Sequence, residues 1–290
     1  MAEIIKDGFT FYDRFQKEDI FTFLTDSIED INKSIEYIKK KKLKYVSLSE
    51  KLLEKVENLD FLEELDFIEE IYISKYDINY NGIYSLKNLK ALSVIYRKSK
   101  PNIDYSRFKK LEDLSIDWYN AEIDLSENKN LKKLVIWKFK PKTKTFSYIK
   151  LPDSLESFEI TESNVQNFDG LALPNLKSFE GHYCSKLTSL DGLKKSSDNL
   201  QSFILGSCGN LTNYDDLKHC KNLEKIILTR CGDMQSLSWL KPLKKVKHFT
   251  FLYTKVLDGD VSICSEIKYV AFTNSRHYNH KMEEFNDKYK

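Results

Sequence analysis

Eleven times between Leu43 and Phe272 the chain repeats one short pattern, apolar-x-x-apolar-x-apolar, at intervals of 20 to 25 residues. The first positions are Leu43, Ile68, Leu89, Leu111, Leu131, Leu155, Leu176, Leu200, Leu223, Val246 and Ile267. The fourth and sixth positions of each row are apolar too, with Gly181 the one exception. Alternation with period two inside a row predicts a short strand with one buried face. A recurrence of this length predicts coils that cannot bury their apolar edges singly and must stack on one another. Strands about 4.8 Å apart would then form a parallel sheet. About 22 residues per coil leave no length for long return helices, so short extended or 3₁₀ pieces are expected there. Asn88, Asn130, Asn175, Asn199 and Asn222 each stand immediately before a row, where a turn residue suits the bend into the strand.

Residues 176–245 repeat most regularly: CSKLTSLDGL, CGNLTNYDDL and CGDMQSLSWL are nearly one motif written three times. On these residues the chain resembles the leucine-rich repeat superfamily, nearest the short 22-residue type of internalin-like bacterial proteins and phosphatase-regulating subunits. The resemblance covers roughly residues 43–275. Rows one to five depart from it, with Lys51, Tyr76, Arg97, Tyr119 and Phe139 at the ninth position in place of Asn or Cys. The resemblance implies an α/β solenoid, a leucine-rich repeat horseshoe with about eleven short parallel strands on its concave face and mostly non-helical returns. It also implies protein–protein recognition, and it names no partner.

The remaining segments are expected to cover the ends of the array. In residues 1–42, Asp7-Gly8 between apolar residues predicts a hairpin. Ile20, Leu24, Ile28, Ile31, Ile35 and Ile38 then fall three or four apart, predicting an amphipathic helix from about Glu18. Its last residues, Lys39 to Lys42, suit a helix C-terminus. Residues 276–290 contain no further row and are expected to cover the other open edge.

A net charge of +2 selects neither acidic nor basic partners. No apolar run approaches the length of about 18 residues that a membrane span needs. The start, MAEIIKDGFTFYDRF, has acids among its apolar residues and no secretory core, which favours a cytoplasmic location. Five cysteines are too few for a disulfide framework. Cys184, Cys208 and Cys231 hold the same place in successive rows, so repetition accounts for them, with the thiols expected to pack in the turn and donate weakly to carbonyls. Zinc would want close pairs such as C-x-x-C, and none occurs. His277 and His280 fit an exposed end segment better than a metal site. No phosphate-binding, nucleophile-elbow or zinc-protease motif is present. The reading is therefore of a non-enzyme with no cofactor and no metal.

Positions seven and eight of each row are expected to face outward. They bring Trp118 and Trp137 into adjacent rows, with Tyr96 and Tyr183 flanking them, an arrangement typical of a binding hot spot. Asp117, Glu159 and Glu180 share the middle of that surface, near His182, and would pair with basic groups of a protein partner on the concave face. Lys138, Lys140, Lys142 and Lys144, beside Arg97, Lys98 and Lys100, suit either an acidic partner or protection of an edge from unwanted pairing. Nucleic acid is a minor alternative without a recognised binding module. The leading expectation is a protein-binding scaffold, in the manner of a bacterial immunity protein that blocks a toxin, or of a regulatory subunit. A surface or secreted adhesin is the alternative, and an enzyme using the acidic patch comes after it. The residues do not specify an oligomeric state.

Overall fold

The computed structural model describes residues 2–14, 17–23, 28–74, 78–95, 103–118 and 123–285, with side chains described at all of these except 2–3, 12–14, 17–23 and 28–29. They divide into two compact units, one of residues 1–119 with 125–131, the other of residues 120–124 with 132–290.

The first unit opens with an antiparallel hairpin, β1 (Ala2–Lys6) against β2 (Phe9–Arg14), turning at Asp7-Gly8. Both turn residues have positive φ, as the tightest hairpin turns require. β3 (Lys17–Phe23) pairs antiparallel with β2 and parallel with β4 (Tyr45–Leu48). Strand thus occupies residues expected to be helical. The helix, α1, runs only from Ile28 to Lys41. The apolar spacing that suggests one long helix is shared between two elements, because Ile20, Phe21, Thr22 and Phe23 are β-branched or aromatic and favour a strand. Within α1, Ile31, Ile35 and Ile38 are buried. Tyr37 stacks on Phe9 at 4.1 Å and donates to Asp7 Oδ2, fastening helix to hairpin. From β4 the sheet continues in parallel through β5 (Glu70–Ser74), β6 (Ala91–Ile95) and β7 (Asp113–Asp117). A one-turn helix, α2 (Glu50–Leu53), follows β4 and is capped by Ser49 Oγ.

The second unit contains seven more rows. A short parallel pair on the return side, β8 (Ile123–Asp124) with β10 (Ile149–Lys150), flanks them. The row strands are β9 (Lys133–Trp137), β11 (Ser157–Thr161), β12 (Ser178–His182), β13 (Ser202–Gly206), β14 (Lys225–Thr229), β15 (His248–Phe251) and β16 (Tyr269–Phe272). Each pairs in parallel with the next. Register is uniform, so Phe158, Phe179, Phe203, Ile226, Phe249 and Val270 form one inward row. Returns are 3₁₀ turns such as Leu193–Ser196, Asp215–His219 and Ser238–Leu240. All eleven rows read from the sequence are therefore strands, and the fold is the leucine-rich repeat solenoid.

Three ladders repeat from coil to coil. The asparagines before the rows each donate an Nδ2–H to a carbonyl of the preceding coil: Asn88 to Asp66, Asn130 to Lys109, Asn175 to Asp153, Asn199 to Pro174 and Asn222 to Asp198. Inside the second unit, Phe139, Phe146, Phe158, Phe168, Phe179 and Phe203 form a continuous run of ring contacts at 4.9–6.3 Å. Along the second position of rows one to seven, Lys and Glu alternate. Lys44 and Lys90 both reach Glu69 in the first unit, and Lys132 and Lys177 both reach Glu156 in the second.

Residues 276–285 lie against the last strand. Tyr278 and Phe285, the latter in α3 (Met282–Phe285), contact Phe272. Tyr278 Oη and Asn279 Oδ1 accept the backbone N–H groups of Val256 and Val261.

Candidate functional site

Strand alternation sends positions three, five and seven of each row to the face opposite the phenylalanine core. In the second unit this face has an acidic middle. Glu159 and Glu180 are register partners on β11 and β12. Glu180 Oε2 lies 3.5 Å from His182 Nε2 on its own strand. Among the described residues, none forms an ion pair or hydrogen bond with the Glu159 carboxylate. Burial, and then the neighbouring Glu180, push its carboxyl above the usual range. Glu180 is held below its usual value by the bond to His182, whose imidazole is raised by the same bond. Lys133 and Lys225, at the third position of their rows, act on these carboxylates through space.

Next to the acids the face turns apolar. A shallow groove of about 230 Å³ is lined by His182, Tyr183, Ile204, Leu205, Gly206, Ser207, Ile227 and Thr229. Gly206 lines it beside His182. A Cβ there would come within 2.8 Å of His182 Nδ1, so the missing side chain provides the space the imidazole occupies.

The eighth position has its own backbone rule. Lys138, Glu162, Tyr183, Ser207, Arg230 and Tyr253 all have φ between 52° and 58°. In this left-handed turn the N–H groups of Lys138, Glu162, Tyr183, Ser207 and Arg230 donate to the seventh-position carbonyl of the next coil. Non-glycine residues adopt that conformation at a cost of about 1–2 kcal/mol each, here offset by a backbone hydrogen bond per coil. Tyr183 and Tyr253 are left 63% and 65% exposed. Arg230 lies over the Tyr253 ring at 5.2 Å.

Of the residues expected to form a site, Glu159, Glu180, His182 and Tyr183 come together on this face, and Trp137, 39% exposed, lies one strand beyond Glu159. Asp117 and Trp118 do not behave as expected. They belong to the first unit and are only 4% and 8% exposed. Alternation fixes the face from which a side chain leaves, but not whether other chain covers that face. Trp118 also lacks the left-handed turn of its counterparts in rows five to ten. The two residues are thus corrected from exposed contacts to buried ones. Tyr96, Arg97, Lys98 and Lys100 lie outside the described residues. Lys138, Lys140, Lys142 and Lys144 are all exposed. Tyr253 and the groove floor of Ile204 and Ile227 are additions that the sequence reading did not single out.

The cysteines sit in the turns with their thiols facing carbonyl groups. Cys184 Sγ donates to His182 O, Cys208 Sγ to Gly206 O and Gly181 O, and Cys231 Sγ to Thr229 O and Leu205 O, at 3.6–3.8 Å. Burial pushes Cys220 and Cys264 up to about 12, out of the reactive range. His277 is committed to the Val256 carbonyl and His280 to Glu284. Among the described residues no group of three or more His, Cys, Asp or Glu is placed to hold a metal ion, and no helix is long and apolar enough to cross a membrane.

No protein-family model and no curated protein matches this sequence. Solved structures do. An internalin, InlF, of Listeria monocytogenes is similar at 14% identity over 89% of this chain and 82% of its own, with a TM-score of 0.50. Internalin C2 of the same organism is similar at 18% identity, 72% and 83% coverage and a TM-score of 0.44. A leucine-rich repeat protein of Leptospira interrogans is similar at 10% identity, 87% and 88% coverage and a TM-score of 0.35. At such identities the likeness is one of fold. With its eleven row strands and stacked coils, the chain has the leucine-rich repeat fold, resembling that of the internalins.

Proposed function

We propose that the protein is a non-catalytic scaffold that captures a protein partner on the open strand face of its second unit. The observation carrying this reading is the pairing of exposed aromatic rings, Trp137 and Tyr183, with a half-buried carboxylate, Glu159, that has no partner among the described residues. Large rings left in water by a rigid backbone are apt anchors, because little conformational entropy remains to be lost on binding. An unpaired carboxylate next to them favours a basic group on the partner. Repeat solenoids use such continuous faces for recognition. The same surface would serve an immunity protein that blocks a toxin and a subunit that regulates an enzyme.

The test is capture from the source organism's lysate with wild type and a Trp137→Ala/Tyr183→Ala variant as baits, after both show the same thermal melt. A protein retained by wild type should be lost by the variant. The purified partner should then bind the variant at least tenfold more weakly in titration. Equal retention by the two baits would overturn this placement of the interface.

A further inference from the structure

The acidic middle of the strand face has a feature that two carboxylates alone would not supply. Thr161, two residues beyond Glu159 on β11 and so on the same face, is only 4% exposed, and its Oγ1 has no hydrogen-bond partner among the described residues. A buried polar atom without a partner costs stability, and in a fold this regular it points to a group that arrives from outside. In register with Thr161 stand Trp137 on one side and His182 on the other, both reaching solvent. Glu159 and Glu180 sit side by side on adjacent strands, about 4.8 Å apart. The arrangement thus presents two parallel acceptors, a third acceptor in Thr161 and aromatic walls.

We propose, resting on the strand-face reading above, that Glu159, Glu180 and Thr161 receive one arginine side chain of the partner, and that the groove over Ile204 and Ile227 receives an apolar side chain three residues away along an extended segment. Arginine fits because its planar fork of five donors can serve both carboxylates and the hydroxyl at once, whereas a lysine ammonium, with three donors on a compact and strongly hydrated charge, lacks the fork and is costlier to strip of water. Trp137 and Tyr183 favour the same choice, since guanidinium stacks on aromatic faces. The spacing comes from the sheet. The acidic pair straddles β11 and β12 and the isoleucine pair straddles β13 and β14, so their centres are two strand spacings apart, about 9.6 Å. Three residues of polyproline II rise about 9.3 Å and return to the same side of the chain. A fully extended β-strand would turn the third residue away. The fitting ligand is therefore Arg-x-x-apolar in polyproline II form.

Calorimetric titration with the blocked peptide Gly-Arg-Pro-Pro-Leu-Gly and its Lys-for-Arg and Ala-for-Leu analogues tests this. The arginine peptide should bind wild type. The lysine analogue should bind at least tenfold more weakly, the alanine analogue should be weaker too, and Glu159→Gln/Glu180→Gln should lose the arginine preference. Thr161→Val, nearly isosteric, should weaken the arginine peptide severalfold while the melt holds or rises, since the unpartnered buried hydroxyl is removed. Equal affinity for the arginine and lysine peptides, an unchanged double variant, or no binding of the arginine peptide at millimolar concentration would each overturn the proposal. If any of these occurs while a captured partner still depends on Trp137 and Tyr183, the strand face binds by other chemistry and only the arginine assignment fails. If the partner is indifferent to those rings as well, both readings fail.

Discussion

Gly181 and Gly206 occupy neighbouring strands and are small for opposite reasons. Gly181 stands at an inward position where the other rows place an apolar side chain. A Cβ there would lie 2.8 Å from Leu205 Cδ2 and 3.3 Å from Phe179 Cε1, both in the sealed core. Phe179 and Leu205 already fill the volume a side chain would need. Gly181→Leu should therefore overpack the core and destabilise by about 1–3 kcal/mol or more, seen as a clear fall in melting temperature; a rise would contradict this packing. Gly206→Ala would meet only the rim imidazole of His182, so its melt should stay near wild type. Glu159 yields a second prediction at this scale. Its ionised form is disfavoured in the fold by burial and by Glu180 directly alongside, since like charges opposite each other on neighbouring strands are destabilising. Because its carboxyl is raised on folding, the wild type loses stability as pH rises from the ordinary carboxylate range through the raised value. Glu159→Gln lacks that loss. It should melt higher than wild type at pH 8, and the difference should vanish below pH 4; a lower melt at pH 8 would show that the carboxylate is paired.

At the scale of elements, the second-position ladder shows how strands are held in order by charge. Reading along the rows gives Lys44, Glu69, Lys90, Glu112, Lys132, Glu156, Lys177, then Gln201, Glu224, Lys247 and Lys268. In the four rows of the first unit and the first three of the second, neighbouring coils carry opposite charge and coils two apart carry like charge, so a skipped coil there would align repelling groups. Gln201 and the successive Lys247 and Lys268 break the pattern. Exposed pairs contribute modestly one at a time, but where the alternation holds it opposes a slipped arrangement at each step. Glu156→Lys would set a third ammonium between Lys132 and Lys177, in place of a glutamate held by both lysines. A lower melt is expected in 20 mM salt, and the deficit should shrink towards 1 M, where the Debye length is about 3 Å. A deficit independent of salt would mean that lost packing, not charge, is responsible. This ladder is fully present in the sequence, one place after each row's first leucine, yet a search for apolar periodicity passes over it. The left-handed turn at position eight is less accessible. Tyr183, Arg230 and Tyr253 share it with Lys138 and Ser207, residues with no common preference for positive φ, because the coil-to-coil hydrogen bond and not the side chain imposes it.

Over the whole chain, what the sequence discloses follows from how often each signal repeats. The inward fourth and sixth positions recur in eleven rows, so all eleven strands can be placed and even the exception at Gly181 stands out. Residues 1–42 give no repeat to align, and there the apolar spacing starts the helix ten residues early, at Glu18 instead of Ile28. The outward face is legible in phase but not in cover, which is why Glu159, Glu180, His182 and Tyr183 are found together while Asp117 and Trp118 are buried. The same one-dimensional logic governs stability. In the second unit the phenylalanine run centres on Phe179, which touches Phe146, Phe158, Phe168 and Phe203 on the coils to either side. Truncating a core phenylalanine costs about 3–5 kcal/mol, and in stacked repeats such a loss is felt by nearest neighbours before distant coils. Phe179→Ala should therefore speed amide hydrogen exchange most in β11, β12 and β13, with a smaller effect in β14 and the least in β16, whose core is the separate contact of Phe272 with Phe251. A uniform acceleration from β11 to β16 would show that these six coils open as one cooperative block, and the nearest-neighbour description of this unit would have to be abandoned.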